Sequence, residues 1–253
     1  MIRPGSILPL IIGLACLQQT HAQKEHKDIR RLGDFTTIVN QTDEELIFTD
    51  RGIAGTLIAQ GTKAAIEALV TEVEGNTLTL TRKLGKNHLR NVPFFDAKLT
   101  IRDPLRIVIS CPALNHYTTQ GSGSSTLVSQ RFQNLKIEAT GEGAVHLSNC
   151  SFYSLDAKLQ GSGNLVFEKC EAVDARLQLE GSGDLLAHGL RTKNVNALLI
   201  GKGNLTTWPS QFLNAKVVGP GKLLYRDNPP TLEKQTQDGG TIDRYFPTAE
   251  TKK

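Results

Sequence analysis

Three kinds of residue in this 253-residue chain have side chains and spacings that could do chemistry. Thiols come first. Cys150 and Cys170 lie 20 residues apart, with Cys111 upstream and Cys16 in an apolar N-terminal stretch. Two thiols brought together could form a disulfide, whereas a zinc or redox site would want C-x-x-C, which is absent. Carboxylates come second. Glu142, Glu180 and Asp184 flank glycine turns, and glycan hydrolysis needs paired carboxylates facing one cleft. Third are the glycine triplets, whose backbone N–H groups could cradle a phosphate where they converge. These triplets are spread too evenly along the chain to hold one phosphate. His88, His116, His146 and His188 share no spacing, so each reads as an isolated surface or corner residue rather than a metal ligand. No nucleophile elbow, H-E-x-x-H, Walker loop, EF-hand loop or dinucleotide fingerprint occurs. No metal or cofactor is expected.

The elements that must position these residues follow from a repeat. G-x-G recurs at Gly121 and Gly123, Gly141 and Gly143, Gly161 and Gly163, Gly181 and Gly183, Gly201 and Gly203, and Gly219 and Gly221, at intervals of 20, 20, 20, 20 and 18 residues. A degenerate member, Asp238-Gly239-Gly240, follows. Two residues before the first glycine stand Ala139, Leu159, Leu179, Leu199 and Val217. Four before stand Ile137, Ala157, Leu177, Ala197 and Ala215. Lys136, Asp156, Arg176 and Asn196 alternate with them, which is the period-two signature of a strand with one buried face. After the glycines the columns resume with Val145, Leu165, Leu185, Leu205 and Leu223, then with Leu127, Leu147, Phe167, Ala187, Thr207 and Tyr225.

One geometry accounts for all of this: an all-β, right-handed parallel β-helix whose coils each take about 20 residues. Equivalent positions then stack about 4.8 Å apart, and each apolar column buries itself against its neighbours. The corner between two strands falls on G-x-G, where glycine tolerates positive φ. The twelve triplet glycines are therefore structural turn residues. Asn134, Ser154, Asp174 and Asn194 read as a corner ladder satisfying backbone groups. Cys150 and Cys170 become stacked neighbours, either free thiols or a disulfide; side chains in register point the same way, which suits the bond poorly. A helical solenoid conflicts with the strict alternation, and a leucine-rich repeat would need L-x-x-L-x-L and its Asn.

Outside the repeat, residues 1–22 read as a signal peptide: Arg3, an apolar run Ile7–Leu17 too short to cross a bilayer, and Thr20-His21-Ala22 before the cleavage point. Acylation of Cys16 as a lipoprotein is second choice, because Gly13 stands where a lipobox wants Leu. Residues 23–33 read as a linker, 34–245 as one domain (34–115 β-rich, 116–245 the coils) and 246–253 as a polar tail. Within 34–115, strands are expected at Phe35–Val39, Glu45–Thr49, Thr77–Thr81, Lys98–Arg102 and Leu105–Ser110. Thr62–Glu72 suits a short helix or a strand, Gly75-Asn76 a turn, and Lys83–Asn91 a basic loop. These strands either begin the solenoid or cap it. The net charge of +4 falls to +3 without Arg3. That is too weak and too mixed for a nucleic-acid partner.

The chain resembles the autotransporter-adhesin family with a head GIN domain. The likeness lies in the G-S-G-N-L and G-S-G-D-L coils at Gly161 and Gly181, in Phe35-Thr36-Thr37-Ile38, and in Gly75-Asn76-Thr77-Leu78-Thr79-Leu80. Leu99-Thr100-Ile101 before Pro104 and Gly219-Pro220-Gly221-Lys222-Leu223-Leu224-Tyr225 with Pro229-Pro230 extend it over residues 34–245. The resemblance implies a β-helical fold, export and a non-enzymatic role. No translocating barrel is expected within these residues, so autotransport does not carry over. The expected function is an exported cell-envelope or surface protein, in the periplasm or outside the cell, binding an envelope polymer, glycan or protein, or serving as a scaffold. The alternative is a polysaccharide lyase or hydrolase built on the same helix. No transmembrane segment is expected once the leader is removed.

Overall fold

The computed structural model describes residues 25–83 and 105–245. Residues 1–24 with Cys16, most of the basic loop with His88, the candidate strand Lys98–Arg102 and residues 246–253 lie outside the described residues.

The first part of the chain forms β1 (His26–Arg31), β2 (Thr37–Asn40), β3 (Glu45–Thr49), β4 (Thr56–Gly61), α1 (Lys63–Ala68), β5 (Leu69–Glu74), β6 (Thr77–Arg82) and β7 (Leu105–Ser110). The repeats follow as β8 (His116–Gly121), β9 (Ser125–Val128), β10 (Arg131–Gly141), β11 (Ala144–Ser148), β12 (Ser151–Gly161) and β13 (Asn164–Glu168). They continue as β14 (Cys170–Gly181), β15 (Asp184–Gly201), β16 (Asn204–Val218), β17 (Lys222–Tyr225), β18 (Thr231–Gln237) and β19 (Thr241–Arg244).

The repeat strands stack as the 20-residue spacing requires. Ala139, Leu159, Leu179, Leu199 and Val217 are successive partners in one parallel ladder, and all are buried. A second ladder joins Val145, Leu165, Leu185, Leu205 and Leu223, likewise buried. A short third face pairs Phe132 with Phe152 and Ala172 with Thr192. The Phe132 and Phe152 rings lie 5.4 Å apart and stack at 6°. Each coil thus has three sides around one apolar core. Burying a Leu or Phe contributes about 1.5–3 kcal/mol, and no coil could bury its own row without the next.

The chain before the repeats both starts the solenoid and caps it. β2 and β3 form the first coil. Thr37 pairs in parallel with His116 on one side and Thr77 on the other, and Leu46 pairs with Ser125 and Ile107. The remaining contacts are antiparallel: β1 with β4, β4 with β7, and β5 with β6. Residues 23–33, read from the sequence as a linker, therefore carry a strand. HKDIRR is so charged that it gives no strand signal, and its order comes from pairing with β4, as in Ile29 with Ile58. The ambiguous stretch Thr62–Glu72 divides in two. Thr62 caps α1 by accepting the Ala65 N–H at 3.1 Å, and the helix gives way to β5 at Leu69.

Candidate functional site

The triplet glycines sit at the corner between the first and second faces, and the first member of each triplet carries a constraint that the second does not. The first has positive φ, from +100° at Gly219 to +133° at Gly181. The second members, Gly123, Gly143, Gly163, Gly183, Gly203 and Gly221, do not. This corrects the expectation that all twelve serve positive φ. Their constraint is the backbone of the coil beneath. A Cβ on Gly143 would lie 2.4 Å from the carbonyl oxygen of Gly123, one on Gly183 2.2 Å from that of Gly163, and one on Gly203 2.3 Å from that of Gly183. Gly123 meets the first coil instead, where the Glu44 carbonyl oxygen would stand 2.5 Å from its Cβ. Close stacking of backbone therefore constrains both members, and positive φ adds a second constraint at the first, where a Cβ on Gly161 would also lie 2.5 Å from the Gly141 carbonyl oxygen. The first coil turns through Thr42-Asp43-Glu44 rather than through a triplet. There the Asp43 carboxylate accepts the backbone N–H of Ser122 at 3.0 Å and its hydroxyl at 3.1 Å.

The corner between the second and third faces escaped the sequence reading. Ser129, Asn149 and Lys169 occupy the left-handed region at φ +56°, +54° and +51°. Their spacing of 20 was the available signal, but only Asn among them announces such a backbone. Asn194 donates to the Asp174 carboxylate at 2.8 Å. That ladder thus includes a side-chain to side-chain bond, beyond the backbone bonding expected for it.

Cys150 and Cys170 are free, buried and stacked. Cys150 Sγ–H faces the carbonyls of Ser148 (3.4 Å) and Leu127 (3.6 Å), and Cys170 faces those of Glu168 (3.3 Å) and Leu147 (3.5 Å). The hydrogen bond between the thiols lowers Cys150. The same contact, with burial, pushes Cys170 up, because a second buried thiolate beside the first is unfavourable. Cys111 is raised to about 11 by burial and stays a thiol near neutral pH.

The three corner carboxylates do not meet. Glu142 is exposed at its corner. Asp184, on the second face, accepts from Asn204 at 2.8 Å. Glu180, on the first face, accepts from Gln160 at 2.6 Å and pairs with Lys158 at 3.0 Å. The Gln160 hydrogen bond and the Lys158 ammonium hold Glu180 below the ordinary carboxylate range, the opposite of what a general acid needs. His116 is not isolated, contrary to expectation: its Nε2 lies 2.9 Å from Glu138 and 3.3 Å from the Thr118 hydroxyl. Glu138 is lowered by its bonds to Lys136 and His116.

A folded-state carboxylate held low contributes stability that is complete above its unfolded value and fades as the pH drops through the folded one. The share carried by Glu180 is therefore intact above about pH 4.5 and is lost below it. Glu180→Gln should lower the melting temperature slightly at pH 7 and by less at pH 3. A variant equally destabilised at both values would mean that its charge plays no part.

The surface also holds a feature that no residue-by-residue reading of the sequence assembles. The middle outward column of the second face is apolar at seven of its ten positions from Ile29 to Leu224, with Thr126, His146 and Thr206 interrupting it and Asp243 following Leu224. In the cap and first coil it runs Ile29, Ile58, Val108 and Ile47. In the repeats it continues through Thr126, His146, Val166, Leu186, Thr206 and Leu224. The corresponding column of the first face is mostly polar, with Thr118, Glu138, Lys158, Gln178 and Lys216 in register and only Val39 and Leu198 breaking it. A separate shallow hollow of about 470 Å³ lies among Asp50, Pro112, Ser129, Gln130 and Arg131. Among the described residues, no helix is long and apolar enough to cross a membrane.

Solved structures share this architecture. A protein from Bacteroides fragilis described as a putative adhesin superposes with a TM-score of 0.75 at 23% identity, over 88% of this chain and 98% of that one. A putative lipid binding protein from Parabacteroides distasonis gives 0.66 at 19%, over 89% and 98%. A putative adhesin from Parabacteroides merdae gives 0.62 at 17%, over 89% and 98%. At these identities the likeness is one of fold. No curated protein matches the chain. The family model described as "Putative auto-transporter adhesin, head GIN domain" matches residues 34–229, most of the chain, and this protein belongs to that family.

Proposed function

We propose that this is a non-enzymatic, exported surface or envelope protein that binds a partner with the outer faces of its solenoid. The observation that carries the reading is the largely apolar outward column of the second face, seven of whose ten in-register members from Ile29 to Leu224 are apolar. Ten strands at about 4.8 Å spacing make it roughly 43 Å long. Outward side chains on a solvated sheet are ordinarily polar, and a long apolar row signals contact with something else. Family membership and the leader-like residues 1–22 support export, and the adhesin description of the family supports binding. The dispersed positions of Glu142, Glu180 and Asp184, with Glu180 and Asp184 already hydrogen-bonded, weigh against a lyase or hydrolase using them.

The test sets glycan-array and whole-cell binding of the protein beside a reducing-sugar release assay. Leu186→Lys changes a half-exposed side chain, so stability should stay within about 0.5 kcal/mol. Binding should fall at least tenfold. Sugar release abolished by changing one outward carboxylate would overturn the reading, as would cell binding indifferent to Leu186→Lys.

A further inference from the structure

Near the C-terminal end of the solenoid a ladder of cationic and aromatic side chains crosses successive strands. Arg191 and Trp208 are partners in register. The Arg226 N–H donates to the Thr207 carbonyl at 2.9 Å, which sets Arg226 beside Trp208. The Tyr245 N–H donates to the Tyr225 carbonyl at 2.7 Å, which sets Tyr245 beside Arg226. The Arg226 guanidinium lies 3.8 Å from the Trp208 ring centroid and that of Arg191 lies 6.0 Å from it. The indole N–H donates to the Asp227 carboxylate. Among the described residues neither guanidinium is paired with a carboxylate.

We propose that this ladder binds an acidic polysaccharide, a linear glycan bearing carboxylates, laid along the solenoid axis. The proposal rests on the binding role above and adds a charged site at the border of the same face, two residues beyond Thr206 and Leu224. Stacking occupies the flat side of a guanidinium and leaves its in-plane N–H donors directed outward, the geometry that grips a carboxylate with two bonds. Two strand spacings separate Arg191 from Arg226, about 9.6 Å, so the two charges repeat along the direction in which a polymer would lie. Trp208 holds Arg226 in place before binding, which reduces the ordering cost. Sugar C–H groups can rest on the face of the Tyr245 ring, a residue 40% exposed. Asp227 suits the same ligand. Its carboxylate accepts from sugar hydroxyls and repels a doubly charged phosphate more than a singly charged carboxylate.

Trp208 is the single tryptophan of the chain, so its fluorescence reports on this site alone. Titration of the protein with polygalacturonate oligomers should give a saturable change, and neutral dextran none. Changing Arg191→Gln and Arg226→Gln together should raise Kd at least about tenfold with the melting temperature unchanged. A flat titration, an unaltered Kd in the double variant, or a neutral-backbone glycan bearing phosphomonoesters bound as tightly as polygalacturonate would overturn the assignment. The two proposals fail separately. Cell binding that persists beside a flat titration removes this site and leaves the surface-binding role; polygalacturonate binding without cell binding does the reverse.

Discussion

Gly181→Val is expected to lower the melting temperature by roughly 10 °C. The residue sits at φ +133°, where a side chain costs about 1–2 kcal/mol. Its Cβ would also meet the Gly161 carbonyl oxygen at 2.3 Å. That oxygen is fixed, because it already accepts N–H bonds from Ser182 and Gly183, both at 3.0 Å. Overpacking against backbone adds about 1–3 kcal/mol. The sum, roughly 2–5 kcal/mol, converts at about 2–4 °C per kcal/mol for a domain of this size. Gly75→Ala separates the two contributions. That glycine has φ +56°, and a methyl group there would meet nothing within 4 Å, so its cost should stay near 1–2 kcal/mol. Thermal melts of both variants, followed by circular dichroism, decide the matter. Equal shifts would show that contact between coils contributes nothing.

Glu44→Ala should cost about 3 kcal/mol. Glu44 is 6% exposed and closes the first coil onto the cap. Its carboxylate pairs with the Arg82 guanidinium at the end of β6 and accepts the Leu105 N–H at 3.1 Å at the start of β7. One side chain therefore ties together the two cap strands that flank β2 and β3. Removing it takes a charged acceptor out of a buried site, where a replacement water has little access. Urea denaturation should show a midpoint shift with little change in slope. A loss below about 1 kcal/mol would mean that the cap is held by apolar packing alone.

The coils were legible because their physics repeats. Leu159, Leu179 and Leu199 announce a column through spacing alone, and the ladders place them in one. The glycine corners were half legible: spacing marks both members of each triplet, but only stacked backbones reveal why the second must be glycine. The cap was less legible because its logic is not periodic. β1 is a charged hexapeptide that becomes a strand only through β4, and Glu44 looks like any surface acid until Arg82 and Leu105 are brought to it. The surface was least legible. Val166 and Leu186 read as strand formers, and only the register shows that they stand in line outside the sheet. Trp208 and Arg226 lie 18 residues apart by number, at the place where the 20-residue period has slipped. The register shifts between Leu186 and Asn194 account for that slip.

The first coil has both of its neighbours in sequence still to come. β2 and β3 are flanked by strands from Thr77 to Ser110 on one side and from His116 to Val128 on the other. Delivered N-terminus first, the chain must supply the residues from Thr49 to Leu127, about 80 of them, before the second neighbour of the first coil is in place. During that interval the N-terminal strands have open edges and cannot close. Later coils face no such delay, since each meets a finished template the moment it is made. The slow, exposed stage of biogenesis therefore belongs to the opening third of the chain, which is where a holding chaperone would be needed.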